Sequence, residues 1–77
     1  MTTYKGYDDK KFELINGEGG NIGMGDVVTM PRRPNEVGRV THIEPPHKPS
    51  STGHVTTIHG RYYAKVYGLK FVEVMDA

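Results

Sequence analysis

Glycine and proline punctuate this chain so densely that long helices are excluded. From Gly17 onward no stretch of ten residues lacks both residue types, and the cleanest windows are Arg61–Tyr67 and Leu69–Ala77. A globular helix ordinarily needs a longer uninterrupted run than either. What fills the short runs is β-prone: Val and Ile total twelve against two Leu, with five Tyr. β-branched and aromatic side chains fit a pleated, half-buried surface better than a helix. The chain reads as a small all-β domain.

Alternation locates the strands. Asp26–Met30 sets Val28 and Met30 on one face and Val27 and Thr29 on the other. Gly38–Glu44 carries Val40 and Ile43, whose spacing breaks the two-residue period and predicts a bulge. His54–His59 runs into Gly60 and then Arg61–Tyr67, so a tight hairpin turn is expected at His59-Gly60. Phe71–Val74 supplies a last short strand, with Leu69 plugging the core just after Gly68. Two proline-rich segments, 31–36 and 45–53, read as stiff connections, because proline has no N–H for a ladder.

Residues 1–21 are expected to be a flexible or loosely attached leader, and residues 22–77 the folded domain. Within the leader two readings stay open. Lys11–Ile15 alternates through Phe12 and Leu14 as an added strand would, turning at Asn16-Gly17, while residues 8–15 also suit one or two helical turns. The dense glycines at 17, 19 and 20 read as a joint.

Size sets a further limit. A domain of 77 residues buries only about 60% of its unfolded surface, and small folds of this kind usually carry a staple. With no Cys in the chain, disulfides, thiolate metal sites and cysteine nucleophiles are out of reach. The expected core is thin: Val28, Val40, Ile43, Val55, Ala64, Val66, Leu69, Val72 and Val74. The start of the chain has no apolar segment of the secretory kind, and no apolar run approaches membrane-spanning length. A cytoplasmic protein that does not engage a membrane is therefore expected.

Charge is nearly balanced, at a net +1, but unevenly spread. Residues 1–26 carry an excess of acid and residues 27–77 an excess of base, which suits anionic partners without amounting to a dedicated DNA-binding patch. Arg32, Arg33, Arg39, Arg61, Lys65 and Lys70, with Tyr62, Tyr63 and Tyr67, offer the mixture of cations and stacking rings used by single-strand binders. If Arg61–Tyr67 is one strand, Arg61, Tyr63, Lys65 and Tyr67 share an outward face, and Tyr62, Ala64 and Val66 face the core. The four histidines form no His-x-His or His-x₃-His pair, and no metal site is expected of them. The glycine cluster lacks both the spacing and the following helix of a nucleotide loop. Ser50 and Ser51 lie in a proline loop without a glycine elbow. Neither a cofactor nor a catalytic residue is expected.

Gly23-Met24-Gly25-Asp26-Val27-Val28, followed by Glu36-Val37-Gly38-Arg39-Val40, resembles the opening of small SH3-like barrels of the electron-transport-accessory type. That group includes a small accessory protein of photosystem I and the ferredoxin–thioredoxin reductase variable chain. The nitrile hydratase β-subunit barrel and the plasmid-borne type B dihydrofolate reductases also belong to it. The same layout resembles the KOW element of ribosomal and transcription factors. The residues have physical reasons of their own: Asp26 can bond nearby backbone amides, and Gly38 allows close approach or positive φ.

The resemblance implies a five-stranded SH3-like barrel. For the reductases it further implies a homotetrameric pore lined by a Gln-Ile-Tyr strand, where this chain has Lys65-Val66-Tyr67. Lysine lacks the paired acceptor and donor that an amide presents to a pterin or nicotinamide, and the early lysine of that family is replaced by Met30 or its neighbours. The reading adopted from the sequence is a non-catalytic binding or accessory module engaged in protein–protein contact or self-association. A nucleic-acid-binding barrel and an NADPH-dependent reductase stand as alternatives. The expected contact comprises Arg61, Tyr63, Lys65 and Tyr67 with Arg32, Arg33 and Arg39.

Overall fold

The computed structural model describes residues 2–75. These form three small antiparallel sheets, none closed on itself. In the first, β2 (Lys11–Ile15) lies between β1 (Tyr4–Lys5) and β8 (Lys70–Val74). In the second, β3 (Val27–Met30) pairs with β4 (Arg33–Arg39). The third orders β5 (His42–Glu44), β6 (His54–Thr57) and β7 (Gly60–Tyr63) as consecutive neighbours. Among the described residues no helix is long and apolar enough to cross a membrane.

All three sheets send side chains into one cluster: Leu14 from the first, Val28 and Met30 from the second, Ile43 and Val55 from the third. Val40, Ala64, Tyr67 and Leu69 complete it from the connections between strands. Of the expected core, Val66, Val72 and Val74 are only half-buried. Phe12, Leu14, Met30 and Tyr67 supply the volume instead.

The described part of the expected leader, residues 2–21, contributes to this packing. Of the two readings open for Lys11–Ile15, the strand is the observed one, paired residue for residue with β8 from Lys11↔Val74 to Ile15↔Lys70. Its alternation buries Phe12 and Leu14 and leaves Lys11 exposed. The glycine-dense segment after it is a bonded turn. Asn16 Oδ1 accepts the amides of Glu18 at 3.0 Å and Gly20 at 2.8 Å, and the Asn16 amide donates to the Gly20 carbonyl at 2.9 Å. An Asn side chain that copies a backbone turn fixes such a reversal by itself. Met1 lies outside the described residues.

Three strand boundaries differ from the sequence reading, each for a local reason. First, the strand expected across Gly38–Glu44 is divided. β4 ends at Arg39, the Thr41 amide donates to Thr56 at 2.9 Å, and β5 begins at His42. The corner between them lets Val40 and Ile43 both point inward without a bulge. Second, the irregularity sits earlier. Thr29 faces Val37, but Met30 faces Arg33, so 34–36 bow out of β4. The turn is thus Pro31-Arg32 alone, and Pro34 occupies the bowed segment, where a missing N–H is tolerated.

Third, Arg61–Tyr67 is not one strand. β7 stops at Tyr63, and Ala64–Tyr67 forms a 3-10 turn that ends on Gly68 in the left-handed region, φ 71°. With three residues per turn, positions i and i+3 eclipse, so Ala64 and Tyr67 are buried on the same side. An extended strand would have put them on opposite faces. The hairpin before this turn is present, but its central pair is Ile58-His59, between the facing residues Thr57 and Gly60. Gly60 takes up the twist at φ 117°, and Thr57 Oγ1 accepts the His59 amide at 3.1 Å.

Two outcomes test this packing. Leu14→Ala lowers the unfolding free energy in urea by about 2–5 kcal/mol, as for a buried leucine elsewhere; a loss below about 1 kcal/mol would restore a loosely attached leader. The second concerns Tyr4, whose hydroxyl pKa is raised above 10.0 by burial and, secondarily, by the Asp26 carboxylate. The folded protein keeps that proton to higher pH than the unfolded chain does. The contribution is therefore complete at neutral pH and is lost as pH rises beyond about 10. Urea midpoints fall more steeply above that pH in the wild type than in Tyr4→Phe.

Candidate functional site

Met30, the Pro31-Arg32 turn and Arg33 form one wall of an open groove of about 640 Å³; Tyr62, Lys65 and Val66 form the other. Two glycine-dependent contacts place these walls. A side chain at Gly68 would lie 3.1 Å from Pro31 Cγ, so the bare glycine lets the β3–β4 turn approach the end of the 3-10 turn. At Gly38 a side chain would meet Thr57 Cβ at 2.9 Å, so its absence lets the β6–β7 hairpin lie against β4. His59 Nε2 then reaches the Val37 carbonyl oxygen at 3.0 Å.

Of the residues expected to make the contact, Arg32, Arg33 and Lys65 come together here. Arg33 also pairs with Glu36 at 3.6 Å, an exposed pair of little strength. Arg32 has no ion pair among the described residues. Lys65 Nζ stands 5.8 Å from the centroid of the Tyr63 ring.

The other expected residues serve elsewhere. Arg39 Nη1 donates to the Gly25 carbonyl at 2.7 Å, clamping the loop ahead of β3. In that loop Asp26 Oδ2 accepts the Gly23 amide at 2.7 Å, the local bond its carboxylate suggests from sequence. Arg61 and Tyr63 lie on the outer face of the β5–β6–β7 sheet, as alternation predicts up to that point. The register pairs His54 with Tyr63 and Thr56 with Arg61. Arg61 reaches Glu44 at 3.4 Å, and the Tyr63 ring stacks on His54 at 4.6 Å. Glu44 also lies 3.3 Å from His47 and 3.7 Å from His54.

Tyr67 leaves the contact altogether. It is 3% exposed, and its hydroxyl lies 2.9 Å from Thr57 Oγ1 and 3.3 Å from the Gly60 carbonyl. The reductase resemblance implies a pore position for this tyrosine; within the chain its ring lies in the core. There the ring supports Tyr62, set against it at 75° with centroids 6.2 Å apart. Tyr62 belongs to the inner face opposite Val55, yet it sits on an edge strand and remains 39% exposed over the groove. The sequence reading counts Tyr62 among the stacking rings for nucleic acid but omits it from the principal contact face. The signal that identifies it is its position in the outermost strand, which alternation alone does not report.

No group of three or more His, Cys, Asp or Glu among the described residues is arranged to hold a metal ion. Comparison of the chain with protein-family models, with curated proteins and with solved structures finds no match.

The buried hydroxyl gives a direct prediction. Tyr67→Phe leaves the Gly60 carbonyl and the Thr57 hydroxyl short of a partner and lowers stability by about 1–3 kcal/mol. Tyr63→Phe changes it by less than about 0.5 kcal/mol. Paired urea denaturation curves measure both.

Proposed function

We propose that the protein is a small non-catalytic binding module, built as a five-stranded SH3-like barrel, that engages an anionic partner through the groove between the β3–β4 turn and the 3-10 turn. Support for the barrel comes from the way β4 bends at Val40-Thr41 into β5. Read as one bent strand, the pair gives the expected five with β3, β6, β7 and β8. The single core cluster fed by all three sheets supports it too.

The observation that carries the binding role is the groove itself. Arg32, Arg33 and Lys65 converge on it, and among the described residues no acidic side chain lines it. In a chain whose overall charge is only +1, such segregation creates a local field that the net value hides. Self-association through this face is the poorer fit. A two-fold contact would set the same three cations against their copies, a repulsion that needs an intervening anion.

Nitrogen-15 NMR tests this reading with a sulfated oligosaccharide as a neutral-scaffold anionic probe. The expected shifts cluster on Met30, Arg32, Arg33 and Tyr62 to Val66, with Arg39 and the Gly23–Asp26 loop silent. Shifts centred on that loop, or none at low salt, would overturn the assignment. Dilution of the free protein, followed in the same spectra, is expected to leave these resonances in place.

A further inference from the structure

The groove does not end at Lys65. The same side chain lines two more depressions, of about 240 Å³ and 410 Å³, on the other side of the 3-10 turn, and Lys70 lines both. Among the described residues, the three depressions are together lined by Arg32, Arg33, Lys65 and Lys70, and by no Asp or Glu. None of the acidic residues from Asp8 to Glu73 enters any of the three linings, a marked separation of charge among the described residues. Each end also offers an aromatic surface. Tyr62 stands over the first depression, and Tyr7 and Phe71 border the one beyond Lys65.

We infer that this track binds single-stranded nucleic acid, with phosphates along Arg32, Arg33, Lys65 and Lys70 and a base on Tyr62. The inference deepens the binding-module reading of the same face and rests on it. A backbone of regularly spaced charges matches cations distributed across linked depressions better than a compact anion does. The aromatic component selects among polyanions. An acidic peptide has no flat ring to lay on Tyr62, and a duplex keeps its bases stacked on each other. An unpaired strand presents both phosphate and free base faces. Tyr62 is already oriented for this by the buried ring of Tyr67 at 75° to it, so little ordering is needed on binding.

The test uses fluorescence anisotropy of a labelled oligothymidine of about 12 nucleotides, within the ~4–16-nucleotide footprints of small barrels. Four phosphate contacts give a slope of log K against log salt of about −2.8, hence a loss of about 50-fold between about 50 and 200 mM salt. Replacing both Arg32 and Arg33 by Ala halves that slope to about −1.4. Tyr62→Ala weakens binding at least about fivefold with the slope unchanged, and Tyr62→Phe restores it, which separates stacking from charge. Thermal melts of each variant confirm that these exposed substitutions leave the fold intact.

Absence of oligothymidine binding at low salt overturns the inference, as does binding that neither the arginine pair nor Tyr62 affects. An oligoglutamate peptide of equal charge is the comparison. If it binds through Arg32 and Arg33 while oligothymidine does not, the single-strand inference fails and the binding-module reading stands. If neither polyanion binds, both fail.

Discussion

The Tyr67 hydroxyl, held between Thr57 Oγ1 and the Gly60 carbonyl, is the contact on which the arrangement of this protein depends. It joins the end of β6, the start of β7 and the 3-10 turn in one buried knot. A phenol cannot be buried cheaply without partners, so the bond and the burial require each other. Once Tyr67 is inside, the 3-10 turn must follow, because only eclipsed side chains bring Ala64 and Tyr67 to the same core. Lys65 and Val66 are then turned outward to the groove, and Tyr62 gains a perpendicular ring to rest against. A packing event in the core thereby sets the surface chemistry.

Much of the architecture is legible in the sequence because glycine and proline act locally. The all-β class, the hairpin near residue 60, the inward Val28 and the Asp26–Gly23 bond all follow from residues close together in the chain. What the sequence hides is decided by distant contacts. Alternation through Arg61–Tyr63 continues in appearance to Tyr67, and nothing in those seven residues announces that Gly68 will cap a turn beside Pro31. Leu14 is similar. Its alternation is visible, but its value as a core residue arises only from pairing with β8, more than fifty residues later.

The candidate site divides along the same line. Arg32, Arg33 and Lys65 are recognisable as cations, and the structure brings them to one groove. Arg39 looks equivalent in sequence, yet its guanidinium serves the backbone of the Gly25 loop, and Arg61 is opposed by Glu44. Residue type reports what a side chain can do. Its neighbours determine whether that capacity is left for a partner.

The bowed segment of β4 has a consequence for behaviour at high concentration. An open sheet exposes backbone donors and acceptors that can recruit a strand from another molecule. Here Pro34 withholds a donor, and the register break across 34–36 leaves no straight ladder for an incoming chain to extend. The adjacent outward residues Val27 and Val37 are apolar, 55% and 50% exposed, and would otherwise make this pair of strands adhesive. The proline that interrupts the sheet thus denies an incoming strand a regular ladder along the bowed segment.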